Sequence, residues 1–83
     1  MVVLTLYYAP LTISEYYGYQ TLLTMPDGWR PRLISIGAGI SNDTSVNLVI
    51  VVSTDGSVIV QAQSGGEPPN GKPVSGQVVY FTA

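Results

Sequence analysis

"VNLVIVVSTDGSVIVQAQ", residues 46–63, decides the fold. Residues 46–53, "VNLVIVVS", are almost all Val, Ile or Leu, which suits a pleated strand better than a helix. Both alternating faces of that run are apolar, so it is expected to be a central strand covered on both sides. "TDGS" at 54–57 then separates it from a second β-branched run, "VIVQAQ" at 58–63. Asp-Gly between two such runs is a strong short-range hairpin signal, and Gly56 can take the positive φ that the turn needs. An antiparallel hairpin is therefore the seed of the fold.

Working outward, residues 2–8, "VVLTLYY", predict a strand stopped by Ala9-Pro10, with Val2, Leu4, Leu6 and Tyr8 on one face. Residues 12–24 are ambiguous. Thr12 followed by Glu15 imitates a helix capping box. Gly18 and the tyrosines around it disfavour a helix, so a strand over 15–24 is expected. "RLISIGA" at 32–38 follows Pro31 and reads as a strand with Ile34 and Ile36 on one side. "GISNDTS" at 39–45 is a polar turn cluster. Residues 64–76 hold three prolines and four glycines and read as a loop, either a mobile connector or a functional one. "QVVYFTA" at 77–83 is a closing strand. The sum is one all-β domain over 1–83, expected as a small antiparallel β-sandwich, jelly-roll-like, of about six strands.

Composition bounds what such a domain can do. Of 83 residues, 46% are hydrophobic and only 10% charged, against roughly 25% charged in ordinary soluble domains. So little charge coats a small monomer poorly. Its surface is expected to be clothed in Ser, Thr, Asn and Gln and partly buried against other subunits, since six strands leave edges and an apolar face. Burial between identical copies is the simplest remedy, and a homotrimer is expected. Arg30, Arg32 and Lys72 face five scattered acids, Glu15, Asp27, Asp43, Asp55 and Glu67. No basic stripe results, so nucleic acid is not expected as a partner. The opening "MVVLTLYYAP" fits neither a signal peptide nor a membrane span.

Chemistry is sparse. Without Cys or His there is no thiolate and no imidazole, so no metal, cofactor or activated nucleophile is expected. Asp27 and Glu67 are the one carboxylate pair worth testing for glycoside hydrolysis, which needs a separation of roughly 5–10 Å. The expectation is nonetheless a protein that is not an enzyme. "GAG" at 37–39 lacks the third glycine and the helix of a dinucleotide fingerprint. "NDT" at 42–44 fits a glycosylation acceptor but reads as a turn.

The aromatic residues are more informative. Tyr7, Tyr8, Tyr16, Tyr17 and Tyr19 all lie in the first nineteen residues. In each adjacent pair, strand alternation sends one ring inward and one outward. Outward rings can stack on sugars or pack against a subunit. "MPDGWRP" at 25–31 is a second candidate. Pro26 suits position i+1 of a turn, Gly28 tolerates positive φ, and Pro31 keeps Arg30 extended. Trp29 and Arg30 would then form a stiff anchor pair beside Asp27. Trp29, Arg30, Asp27, Tyr16 and Tyr17 are thus the candidate ligand contacts.

The order of these pieces resembles the C-terminal head domains of phage tail-fibre, baseplate and receptor-binding proteins. "LLTMPDGWRPR" is similar to their Pro-x-Gly-aromatic-Arg-Pro segment. "RLISIGA", "VNLVIVVSTDGSVIV" and "VSGQVVYFTA" follow in the matching order of strand, Asp-Gly hairpin and closing strand. The resemblance implies a trimeric β-sandwich head in a virion, which attaches to a bacterial cell-wall saccharide or serves as a structural tip beside other virion proteins. Pro26, Gly28, Trp29, Arg30, Pro31, Asp55 and Gly56 carry over as residues that mostly shape the fold. The shaft and anchoring module of a full fibre have no counterpart in these residues. The chain is therefore expected to be either a head excised from a longer fibre or a small virion protein in its own right.

Overall fold

The computed structural model describes residues 1–15, 17–40, 47–64 and 68–82. The protein is all-β: six strands and, among the described residues, no helix. The strands are β1 (Val2–Tyr8), β2 (Tyr19–Thr24), β3 (Ser35–Ile40), β4 (Asn47–Val52), β5 (Ser57–Ser64) and β6 (Val74–Tyr80). They join in one continuous antiparallel sheet in the order β1-β6-β3-β4-β5-β2, rather than in two separate sheets.

The hairpin that seeds the fold forms as its sequence demands. Gly56 N–H donates to the Ser53 carbonyl at 2.9 Å, which closes a turn around Thr54 and Asp55. Gly56 follows at φ +93°, the left-handed position that ends a three-residue hairpin loop. Asp55 Oδ1 accepts from Ser57 N–H at 2.9 Å. That bond is the main reason the Asp55 carboxyl sits below its ordinary range. β4 lies between β3 and β5, so it is interior to the sheet as expected. Only one of its faces is fully covered: Leu48, Ile50 and Val52 are buried, whereas Val49 and Val51 are half-buried.

The sheet curls, and its strands come closest at the glycines of β3. On the inward face this strand offers Gly37 and Gly39, with no side chains to fill the interior. A Cβ at Gly37 would run into the Gln77 carbonyl and the Val78 side chain. A Cβ on Gly76 would run into the Ala38 carbonyl and come within 2.6 Å of Ile50 Cδ1. The glycines therefore let β6 and β4 approach each other across β3. The core forms where the two wings meet. Val74, Val78 and Tyr80 of β6 and Val2 and Leu6 of β1 lie on one side, with Ile50, Val58 and Val60 on the other. Leu11 and Ile13, from the β1–β2 connection, are buried in the same cluster.

Several boundaries shift from their sequence reading. The expected strand at 15–24 begins only at Tyr19. Before it, Gly18 N–H donates to the Glu15 carbonyl at 3.1 Å, and Tyr17 is left-handed at φ +60°. β3 runs to Ile40, past the residue where a polar turn was expected. β6 starts at Val74, inside the expected loop, because Val74 packs into the core. Asn70-Gly71 makes a turn, with Lys72 N–H donating to the Pro69 carbonyl at 3.0 Å and Gly71 at φ +80°. This turn joins no hairpin. It binds the β1–β2 connection through Gly71 N–H to the Leu11 carbonyl (2.6 Å) and Leu11 N–H to the Lys72 carbonyl (2.9 Å). The "NDT" stretch lies outside the described residues.

Candidate functional site

The antiparallel registers sort the loops to two ends. The ends of β2, β4 and β6 and the starts of β1, β3 and β5 lie together at the lower end. The connection from β2 to β3, which carries "MPDGWRP", crosses that end. The β1–β2 connection, with Tyr17, and the 69–72 turn lie at the upper end. β2 alone separates Tyr19 from Thr24 by about 17 Å. The tyrosine cluster and the Trp29 segment are therefore two places, and the sequence candidates do not converge.

At the lower end, the segment is bound mostly by its backbone. Trp29 N–H donates to the Pro26 carbonyl at 3.0 Å, with Gly28 at φ +88° in the third position. Pro26 thus occupies the first position of the turn and not the second, since the Asp27-Gly28 pair supplies its centre. Met25 N–H donates to the Gly56 carbonyl at 2.8 Å, and Arg30 Nε donates to the Met25 carbonyl at 3.1 Å. A Cβ on Gly56 would lie 2.5 Å from the Met25 oxygen and 2.9 Å from Arg30 Nε. Gly56 is required here both by its φ and by this close approach. Arg30 also pairs with Asp27 at 3.0 Å, Pro31 is buried, and the Trp29 carbonyl accepts from the Tyr80 hydroxyl. Burial pushes the Tyr80 phenol above its ordinary range. The Trp29 ring itself remains exposed. Arg30 thus ties the segment to Met25, while the Asp27 side chain beside it stays 93% exposed.

The upper end holds a better-formed recess. Thr12, Ser14, Glu15, Gly18 and Tyr19 line a cleft of about 270 Å³ floored by buried Ile13. Its walls are fixed by cross-links to neighbouring strands. Thr12 N–H donates to Gln20 Oε1 at 2.8 Å, Ala62 N–H donates to the Gly18 carbonyl at 2.9 Å, and Gln61 Nε2 donates to the Tyr17 carbonyl at 3.4 Å. Left-handed φ in a tyrosine costs of order 1 kcal/mol and persists where surroundings hold it. Tyr17 is exposed, and so is Tyr19, which lines the cleft. A carboxylate, two hydroxyls and the Tyr19 ring suit a polyhydroxylated ligand: the polar groups bond hydroxyls and the ring stacks on C–H faces.

Of the remaining candidates, Tyr7 points outward and Tyr8 is half-buried, as alternation requires. Tyr16 and Glu67 lie outside the described residues, and with Glu67 the carboxylate pair. Among the described residues no group of three metal-ligating side chains converges, and no helix is long and apolar enough to cross a membrane. Thr12, Ser14 and Glu15 were not singled out from the sequence as contacts. The one signal there was the Thr12/Glu15 spacing, which imitates a helix cap and marks a tight turn instead. No family model matches the chain, and no curated protein or solved structure matches it either.

Proposed function

We propose that this chain is a non-enzymatic head domain of a phage tail-fibre or receptor-binding protein, acting in the virion as a homotrimer that attaches to a bacterial cell-surface saccharide. The ordered motif series from "LLTMPDGWRPR" to the closing strand supports the phage assignment. The observation that carries the saccharide reading is the upper cleft, which Glu15, Ser14 and Thr12 line together with the exposed Tyr19. Saccharide sites need few, well-placed polar groups and an aromatic platform, and this cleft offers both.

A pull-down on a panel of bacterial cell-wall preparations tests it. The folded wild-type chain should bind at least one preparation. Glu15→Gln and Tyr19→Ala should each weaken binding by about tenfold, the equivalent of 1.4 kcal/mol. Trp29→Ala should leave it unchanged. Loss confined to Trp29→Ala would move the site to the lower end, and a folded oligomer that binds no cell wall would refute the saccharide role. A structural tip or decoration protein is the second reading, favoured by the apolar residues exposed on the sheet. Labelled antibody on intact particles distinguishes the two when read beside the binding assay.

A further inference from the structure

The upper cleft is small and one-sided in its chemistry. Its volume of about 270 Å³ falls below the roughly 300–1,000 Å³ of pockets that take drug-sized ligands, which suits a single sugar unit. Glu15 is the one charged residue among those lining it, and Thr12 and Ser14 add two hydroxyls. Two backbone donors of this stretch are already spent. Thr12 N–H donates to Gln20 Oε1 at 2.8 Å, and Gly18 N–H donates to the Glu15 carbonyl at 3.1 Å. The second bond fixes the backbone that carries the Glu15 side chain. The turn there is tight: a Cβ on Gly18 would stand 2.9 Å from Ile13 Cγ2 and 3.0 Å from the Glu15 carbonyl oxygen.

An ionised carboxylate accepts hydrogen bonds and donates none. The one ion pair among the described residues, Arg30–Asp27, is at the opposite end, so Glu15 has no paired cation among them. Lys72 is at the same end, on the turn bound to Leu11, but does not line the cleft. What the cleft lacks is therefore a positively charged donor. A divalent metal ion fits poorly, since it takes six or more oxygens, and no group of three acids converges among the described residues. An ammonium brings three donors and a positive charge on one compact group.

We infer that the upper cleft takes an amino sugar, with its free ammonium on Glu15 and its ring at Tyr19, and that it disfavours acidic saccharides. The inference rests on the saccharide reading of this cleft and narrows it to one chemical class. Exposed ion pairs are weak, so the ammonium gains only about fivefold over a hydroxyl in the same place.

Titration of the chain with linear trisaccharides of identical linkage, built of glucosamine, glucose or glucuronic acid, tests this. Glucosamine and glucose differ only in ammonium against hydroxyl at one carbon. The glucosamine trimer should bind about fivefold tighter than the glucose trimer, with the glucuronic acid trimer weakest. Glu15→Gln should erase that preference, and Tyr19→Ala should weaken both trimers. Asp27→Asn removes the same charge at the lower end and should keep the preference. Circular dichroism checks that each variant is folded. Salt needs no variant: at about 1 M, where screening acts within about 3 Å, the wild-type preference should shrink. A glucose trimer that binds as tightly, a preference that survives Glu15→Gln or vanishes in Asp27→Asn, or a chain that binds cell wall but no trimer overturns the amino-sugar assignment and spares the saccharide reading. A folded chain that binds neither trimer nor cell wall overturns both.

Discussion

Tyr80, Asp55 and the glycines show how much of this fold rests on single groups. Tyr80 closes the lower end by donating to the Trp29 carbonyl. Tyr80→Phe should cost about 1 kcal/mol in denaturant unfolding, because the carbonyl loses its partner. Trp29→Ala should cost less, since it removes an exposed ring and keeps the carbonyl. The Tyr80 phenol is held above its ordinary value by burial. Its contribution is present below pH about 10 and is lost as pH rises through the raised value. An alkaline titration of stability should therefore fall less steeply in Tyr80→Phe than in wild type. Asp55 behaves in the opposite sense. The Ser57 N–H lowers its value, so its stabilisation is present above pH about 4 and fades as pH falls through the lowered one. The protection of the Ser57 amide, relative to its intrinsic exchange rate at each pH, should fall on acidification, and Asp55→Ala should show low protection at every pH.

The elements follow from patterns of different range. The Asp55-Gly56 hairpin was legible because turn chemistry is local, and its two strands lie within a residue or so of their expected bounds. β1 matched over its whole length because "VVLTLYY" alternates cleanly before Ala9-Pro10. The glycines of "SIGAGI" were not legible as a bend. Gly37 and Gly39 are explained by Val78, Ile50 and Gly76, which are distant in sequence. β2 was overextended because Tyr17 and Gly18 turn the chain through bonds to Glu15 and Ala62 that no periodicity reveals. The short Gly18–Glu15 bond and the long-range Ala62–Gly18 bond together shape the upper cleft, which is why its polar residues escaped notice. Gly37→Ala tests the bend directly. Its Cβ meets a carbonyl rather than a flexible side chain, so a loss of about 1–3 kcal/mol is expected in urea unfolding. Gly28→Ala meets open space and should cost only its backbone strain, about 1–2 kcal/mol.

At the scale of the whole molecule, a glycine-bent sheet divides its surfaces by role. The inward face makes the core, with Ile50, Val52, Val58 and Val60 fully buried. The upper end carries a small polar cleft lined in part by Tyr19, and the lower end is closed by the Trp29 segment. The outward face mixes exposed Val3, Val79, Ile36 and Ile40 with polar Thr5 and Gln77. Only 10% of the chain is charged, so its solubility and its state of association are one question. Sedimentation or light scattering of the unmodified chain through a dilution series at micromolar concentration asks it most directly. A particle of three chains that dissociates only on dilution is the predicted result; a folded, soluble single chain at every concentration would contradict the account.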